Sequence, residues 1–181
     1  MYNNCGAMFQ VIGQLFAAVD GQCFERFKNL YTAATNLGGA ANLCVSEWQV
    51  FLTMILVHQL RVDPHKDDGD MEQGWVAMFV TGEFTGGDLV LPSLGIKMDY
   101  QPGDIVFMRS GELEHYVDEW EGTRTGVVMF NKTTTASKVC TELGLQEDAF
   151  RPKGEARKPR VKPTIVTQQD REDMGVVDEA V

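Results

Sequence analysis

The strongest constraint on this chain's fold is an alternation between residues 44 and 132. Short apolar runs are separated there by turn-forming residues. The runs are WQVFLTMILV (48–57), WVAMFVTG (75–82), DLVLP (88–92), DIVFM (104–108) and GVVMF (126–130). Between them lie DPHKDDGD, FTGGD, QPGD and EGTR. Gly, Pro and Asp supply the dihedral angles that reversals need, and β-branched and aromatic residues suit a pleated surface. Many short strands punctuated in this way predict an antiparallel sandwich or barrel. The QPGD turn is expected to feed a buried strand, and Gly86-Gly87 to mark a bend or a close backbone approach.

The flanks differ. Phe9, Ile12, Phe16 and Val19 recur at three- and four-residue steps, as do Phe24, Phe27, Leu30 and Tyr31 after Gly21. That period is helical. The expected organisation is an N-terminal helical segment (1–43), a β core (44–136) and a flexible C-terminal tail (137–181), with a short helix over Cys140–Leu145. In the tail, Arg151–Pro163 holds six basic residues, one acidic residue and three prolines. Such a segment buries little apolar surface. The fold class expected is mainly β with flanking helices, α+β.

A chain of 181 residues suits one core with an appended tail. Net charge is −10, which disfavours a polyanionic partner. Outside the basic run there are 10 basic and 25 acidic residues. Nucleic acid is therefore a possible but disfavoured partner, and the run is its one sequence signal. Cys5, Cys23, Cys44 and Cys140 form no C-x-x-C pair, so neither a zinc knuckle nor a disulfide framework is expected. Residues 7–19 lack the basic flank of a signal peptide, and no apolar run reaches the length that spans a bilayer. The expectation is a soluble, intracellular protein (cytoplasmic or nuclear, not secreted) with no membrane partner. The sequence does not specify an oligomeric state.

The chain has three histidines. His65 lies in the polar loop DPHKDDGD, two positions before Asp67. Alternate side chains in extended backbone can turn toward one point. His115 follows the DIVFM run. Two neutral imidazoles and a carboxylate form the facial triad of non-haem iron(II) oxygenases. Such a triad leaves three positions open on an octahedral ion. A bidentate 2-oxo acid can fill two and dioxygen the third. Arg124, nine positions after His115, opens the next strand and can form a two-pronged pair with a carboxylate.

The order His65-x-Asp67, GEFTGGDLVLP, YQPGDIVFM, His115 and Arg124 resembles the iron(II)/2-oxoglutarate-dependent dioxygenase superfamily. The resemblance runs from about Trp48 to Lys132. It is nearest to small fungal members, some of which are grouped with the Tet/JBP-type oxygenases. It implies a double-stranded β-helix (jelly roll) and iron(II) held by His65, Asp67 and His115. It also implies 2-oxoglutarate bound by Arg124, dioxygen as oxidant, and release of succinate and CO2. One position departs from the pattern. Many relatives carry Ser or Thr two places after the arginine, where this chain has Gly126, so Thr125 or a hydroxyl from another strand is expected to substitute. Asp67 separates the chain from relatives that halogenate, which lack the carboxylate, and favours hydroxylation or demethylation of a substrate the sequence does not identify.

Each feature has a plainer reading. His-x-Asp alone is a weak signal, and the case rests on four features in order. Asp68 and Asp70 are expected to be solvated loop charges, and His58 a strand-end histidine. Arg109 is expected to pair with a nearby acid, and Arg61 to form a surface ion pair. Trp75 reads as core; Tyr100 and Trp120 could line a pocket. Two alternatives remain beside a dioxygenase acting on an unidentified substrate. One is a Tet/JBP-type oxygenase acting on a modified nucleobase, and the other is a non-catalytic metal-binding protein of the same fold. A cupin H-x-H motif is excluded, because position 67 is aspartate.

Overall fold

The computed structural model describes residues 5–37 and 46–152. The expected boundary between residues 43 and 44, Cys44, and all of the basic run beyond Pro152 lie outside the described residues.

Two helices open the chain, α1 (Gly6–Val19) and α2 (Gly21–Asn36). The expected apolar stripe is buried in both: Phe9, Ile12 and Phe16 in α1, and Phe24, Phe27, Leu30 and Tyr31 in α2. Val19 is the exception at 52% exposed. It sits in the last turn, where the chain already bends into α2. Asp20 joins the helices and caps the second, accepting from the Cys23 amide at 2.9 Å. Its other oxygen accepts from Trp75 Nε1 at 3.0 Å, which ties the helical layer to the β core.

Seven strands follow: β1 (Thr53–His58), β2 (Val76–Gly86), β3 (Leu89–Leu91), β4 (Ile96–Met98), β5 (Ile105–Met108), β6 (Tyr116–Val117) and β7 (Trp120–Phe130). They form a four-stranded sheet of order β1-β7-β2-β5 and a three-stranded sheet of order β4-β3-β6. Every strand pairing in both sheets is antiparallel. These are the two sheets of a double-stranded β-helix with flanking helices, the α+β class expected.

Alternation along the larger sheet builds two cores. Ala77, Met129 and Phe107 face the helices and meet Phe16, Phe27 and Phe51. Their neighbours Val76, Met78, Met108 and Phe130 face the smaller sheet and pack on Leu89 and Leu91. Both faces are covered there, so residues 76–80 of β2 and 127–130 of β7 read as continuous apolar runs. Phe16 is fully buried and stacks on Phe107 at 5.7 Å. Truncating it to alanine is expected to cost about 3–5 kcal/mol.

The run at Trp48 enters the sheet later than expected. Val50 and Phe51 are buried in the helical core, and β1 starts at Thr53. The Asn131 side chain satisfies this stretch instead: it donates to the Val50 carbonyl at 2.9 Å and accepts from the Leu52 amide at 2.7 Å. A third helix, α3 (Thr133–Leu143), crosses the expected tail boundary at residue 136 and ends before Leu145. Ala136, Val139 and Cys140 are buried in the helical core and hold it there, and Phe150 packs on the same cluster. Thus residues 133–150 belong to the folded body, which runs into the segment expected as tail from residue 137. Among the described residues no helix is long and apolar enough to cross a membrane.

Candidate active site

A cavity of about 460 Å³ opens between the two sheets and is lined by His65, Asp67, Tyr100, His115 and Arg124. All four residues singled out in the sequence for metal and co-substrate therefore meet in one place.

The metal-facing end is built from loops. His65 and Asp67 lie between β1 and β2, and His115 immediately precedes β6. The two histidines form an isolated antiparallel bridge, His65 N–H to His115 O at 3.1 Å and the reverse at 2.9 Å. Their rings lie 4.5 Å apart. Asp67 is fixed by its own amide, which donates to Ser110 O at 3.0 Å. His65, Asp67 and His115 offer ligand atoms that all lie within 4.8 Å of one another.

The ring tautomers follow from their partners. His65 Nδ1 faces the Asp63 carbonyl at 2.9 Å, and His115 Nδ1 faces the Leu113 carbonyl at 3.0 Å. A carbonyl oxygen only accepts, so each ring donates Nδ1–H, and in the neutral form the lone pair is then on Nε2. Both Nε2 atoms point at Asp67, each 3.8 Å from a different carboxylate oxygen. Two oriented neutral imidazoles and one carboxylate could hold a divalent cation. Backbone acceptors behind ligating imidazoles are the usual support for such a site.

The other end is built from strands. Arg124 lies on β7 opposite Gly82 of β2. It is buried at 6% exposure. Its guanidinium sits 5.5, 5.4 and 5.3 Å from the rings of Phe84, Tyr100 and Trp120. Among the described residues no carboxylate pairs with it, and Nε is buried without a hydrogen-bond partner. Desolvation pushes its pKa down from the ordinary value, yet arginine stays charged in proteins. A buried cation without an anion is costly, and the open side of this one faces the cavity. An anionic ligand would relieve that cost.

Two residues not singled out in the sequence help place it. Gln59 Oε1 accepts from the Arg124 amide at 2.8 Å, and the Gln59 amide donates to Arg124 O at 3.1 Å. Gln59 does this at φ +49, a backbone angle no sequence pattern flags in a glutamine. Gly87, at φ +77, packs on Arg124: a Cβ there would stand 3.3 Å from Nε. The close approach expected at Gly86-Gly87 is thus the approach of backbone to this guanidinium.

The plainer readings mostly hold. Arg109 lies 3.9 Å from both Asp20 and Glu112. Arg61 lies 3.5 Å from Glu119 at the surface. His58 ends β1 and bonds Thr125 Oγ1 at 2.8 Å. Trp75 packs against the helical core. Asp68 is exposed. Asp70 is not a solvated loop charge. It is partly buried and accepts from Ser110 Oγ at 2.7 Å, and burial pushes its pKa up.

Comparison with known families decides the family. Residues 1–133 match the Tet/JBP family model, described as the oxygenase domain of the 2OGFeDO superfamily. The chain belongs to the Tet/JBP oxygenase family. That match takes in both N-terminal helices and stops at the start of α3. The 2-oxoglutarate/iron(II) superfamily uses iron(II), 2-oxoglutarate and dioxygen, and the donor set and cavity here fit that chemistry. Among solved structures, NgTET1 in complex with 5mC DNA is similar with a TM-score of 0.57 and 21% identity, over 73% of this chain and 50% of that one. At that identity the likeness shows the fold alone, and this chain spans half the length of that structure. A search of curated proteins finds no match.

Proposed function

We propose that this Tet/JBP oxygenase domain is an active iron(II)- and 2-oxoglutarate-dependent dioxygenase, with His65, Asp67 and His115 as metal ligands and Arg124 as the co-substrate anchor. The observation that carries it is the placing of the triad and an unpaired buried arginine in one cavity. When bound, iron(II) with 2-oxoglutarate supplies dioxygen activation coupled to decarboxylation to succinate and CO2.

The protein's part is geometric. The Nδ1–H bonds of His65 and His115 hold both Nε2 lone pairs toward the ion, and Asp67 adds the third ligand and one negative charge. Arg124 would hold the distal carboxylate of 2-oxoglutarate in the cavity that the triad also lines. Val57, Leu89 and Val117 give the cavity an apolar wall.

A modified nucleobase in nucleic acid is the substrate reading best supported. The family match favours it, and NgTET1 is described in complex with 5mC DNA. Such a base must be turned out of its stack into a pocket, and 460 Å³ lies within the usual range for small-ligand sites. Lys66 and Lys132 also line the cavity, beside Asp68 and Asp70.

The test is succinate release from 2-oxoglutarate with iron(II) and oxygen, with and without DNA containing 5-methylcytosine. Slow release that DNA stimulates is expected. No release under either condition, from a chain that binds metal, would leave a non-catalytic metal-binding protein. Release that DNA does not change would remove the nucleobase reading alone.

A further inference from the structure

The Arg124 end of the cavity lacks the hydroxyl its chemistry calls for. Two carboxylate oxygens offer about four acceptor sites, and one guanidinium does not fill them. Position 126 lies on the same face of β7 as Arg124 and also lines the cavity, but it is glycine. Thr125 cannot serve. It points to the opposite face, and its hydroxyl bonds His58 Nδ1 at 2.8 Å. Ser110 is also engaged, donating to Asp70.

Tyr100 is free to serve. It is buried at 4% exposure, lines the cavity, and sits with its ring 5.4 Å from the Arg124 guanidinium. Its hydroxyl makes no hydrogen bond with any described residue. Burial pushes the phenol's pKa well above the ordinary value, against the pull of Arg124. The group therefore stays protonated and able to donate. Tyr116 lines the same cavity but makes no ring contact with Arg124.

We infer that Tyr100 is a co-substrate-binding residue: its hydroxyl donates to the distal carboxylate held by Arg124, in place of a side-chain hydroxyl at position 126. The inference rests on the 2-oxoglutarate reading above. Ring and hydroxyl then have separate tasks. The ring face covers the guanidinium, and the O–H adds a donor that only a ligand with a distal carboxylate uses.

The test is calorimetric titration of 2-oxoglutarate and, separately, pyruvate into the full chain loaded with Mn(II). Pyruvate carries the 2-oxo acid head without the distal carboxylate. Tyr100→Phe keeps the ring and is expected to weaken 2-oxoglutarate binding roughly ten- to a hundredfold, the usual effect of losing a hydrogen bond to a charged group. Pyruvate and Mn(II) affinities should not change, and Tyr116→Phe should bind like the wild type. Gly126→Ser added to Tyr100→Phe should recover most of the loss, because a Cβ at 126 meets nothing closer than Val57 at 3.8 Å. Unchanged 2-oxoglutarate affinity in Tyr100→Phe would overturn the inference. So would an equal loss for pyruvate, or a loss found in Tyr116→Phe instead. A wild type that binds Mn(II) but not 2-oxoglutarate would overturn the co-substrate reading, and this inference with it.

Discussion

The two ends of the cavity are built in opposite ways. His65, Asp67 and His115 stand on loops, and His65 and Asp67 are each more than a third exposed at the side chain. Backbone carbonyls two residues upstream in the same loop satisfy the histidine Nδ1 atoms, and the Ser110 carbonyl of the other loop accepts from the Asp67 amide. Arg124 stands on the longest strand pair, is buried among three aromatic rings, and keeps a polar atom unsatisfied. The first end is internally hydrogen-bonded and offers a ligand set that could hold a cation. The second carries an electrostatic cost that an anion would remove. Substitutions at the first end should therefore cost function without stability, while at the second end removal of the Arg124 charge should move function and stability in opposite directions.

The largest effect is expected at the loop end. His65→Ala or Asp67→Ala should reduce metal affinity by more than the roughly hundredfold that follows loss of a supporting hydrogen bond alone. Their metal-free unfolding midpoints should stay within a few degrees of the wild type. Calorimetry with Mn(II) and thermal circular dichroism read the two quantities. A large drop in midpoint would show that these loops carry the fold as well as the site.

Arg124→Met should come next. Methionine keeps the packing among Phe84, Tyr100 and Trp120 and removes an unpaired buried charge. Binding of 2-oxoglutarate should fall about a hundredfold or more, while stability without co-substrate should stay level or rise by about 1 kcal/mol. Urea unfolding with 2-oxoglutarate titration checks both. Lower stability together with undiminished co-substrate binding would place Arg124 in the fold alone and erase the contrast.

Gln59→Ala should have a smaller effect. It removes the side-chain acceptor of the Arg124 amide and the donor to the Gly122 carbonyl at 3.0 Å. A cost of about 1 kcal/mol is expected, with a few-fold weaker 2-oxoglutarate affinity and unchanged Mn(II) affinity. If metal affinity fell as well, the two ends would be coupled through β1.

Asp70 gives the smallest effect. Burial raises its pKa in the folded state, so the folded protein binds more protons than the unfolded chain just above the ordinary carboxylate range. Stability in the metal-free protein should fall as pH rises through that window. Asp70→Asn keeps an acceptor for Ser110 and removes the charge. It should be more stable by less than about 1 kcal/mol at neutral pH, and the gain should fade as pH is lowered. A gain independent of pH would reject the burial argument.

The same contrast explains what could be read from the sequence. Apolar periodicity marks elements that bury a regular face, so α1, α2, β2, β5 and β7 were legible. It does not mark β4 or β6, which are only three and two residues long; in β4, Lys97 is held by Asp88 and Asp118 at 3.3 and 2.6 Å. The start of α3 was hidden by Thr133, Thr134 and Thr135, weak helix formers that read as a loop. Tertiary packing of Ala136, Val139 and Cys140 overrides them. The four site residues were legible because metal and carboxylate chemistry demand particular residue types. Gln59 and Ser110 were not, because each acts through hydrogen bonds that depend on where a distant segment lies. Asp70 was misread for the same reason: its burial depends on Ser110, 40 positions away.

Mn(II) binding to the full chain, followed by the loss of the free-ion paramagnetic resonance signal, tests the central claim most directly. One site per chain is expected in the wild type. That site should be lost in His115→Ala, while circular dichroism remains that of the folded protein. Undiminished Mn(II) binding by a folded His115→Ala variant would contradict the assignment of this cavity as the metal centre.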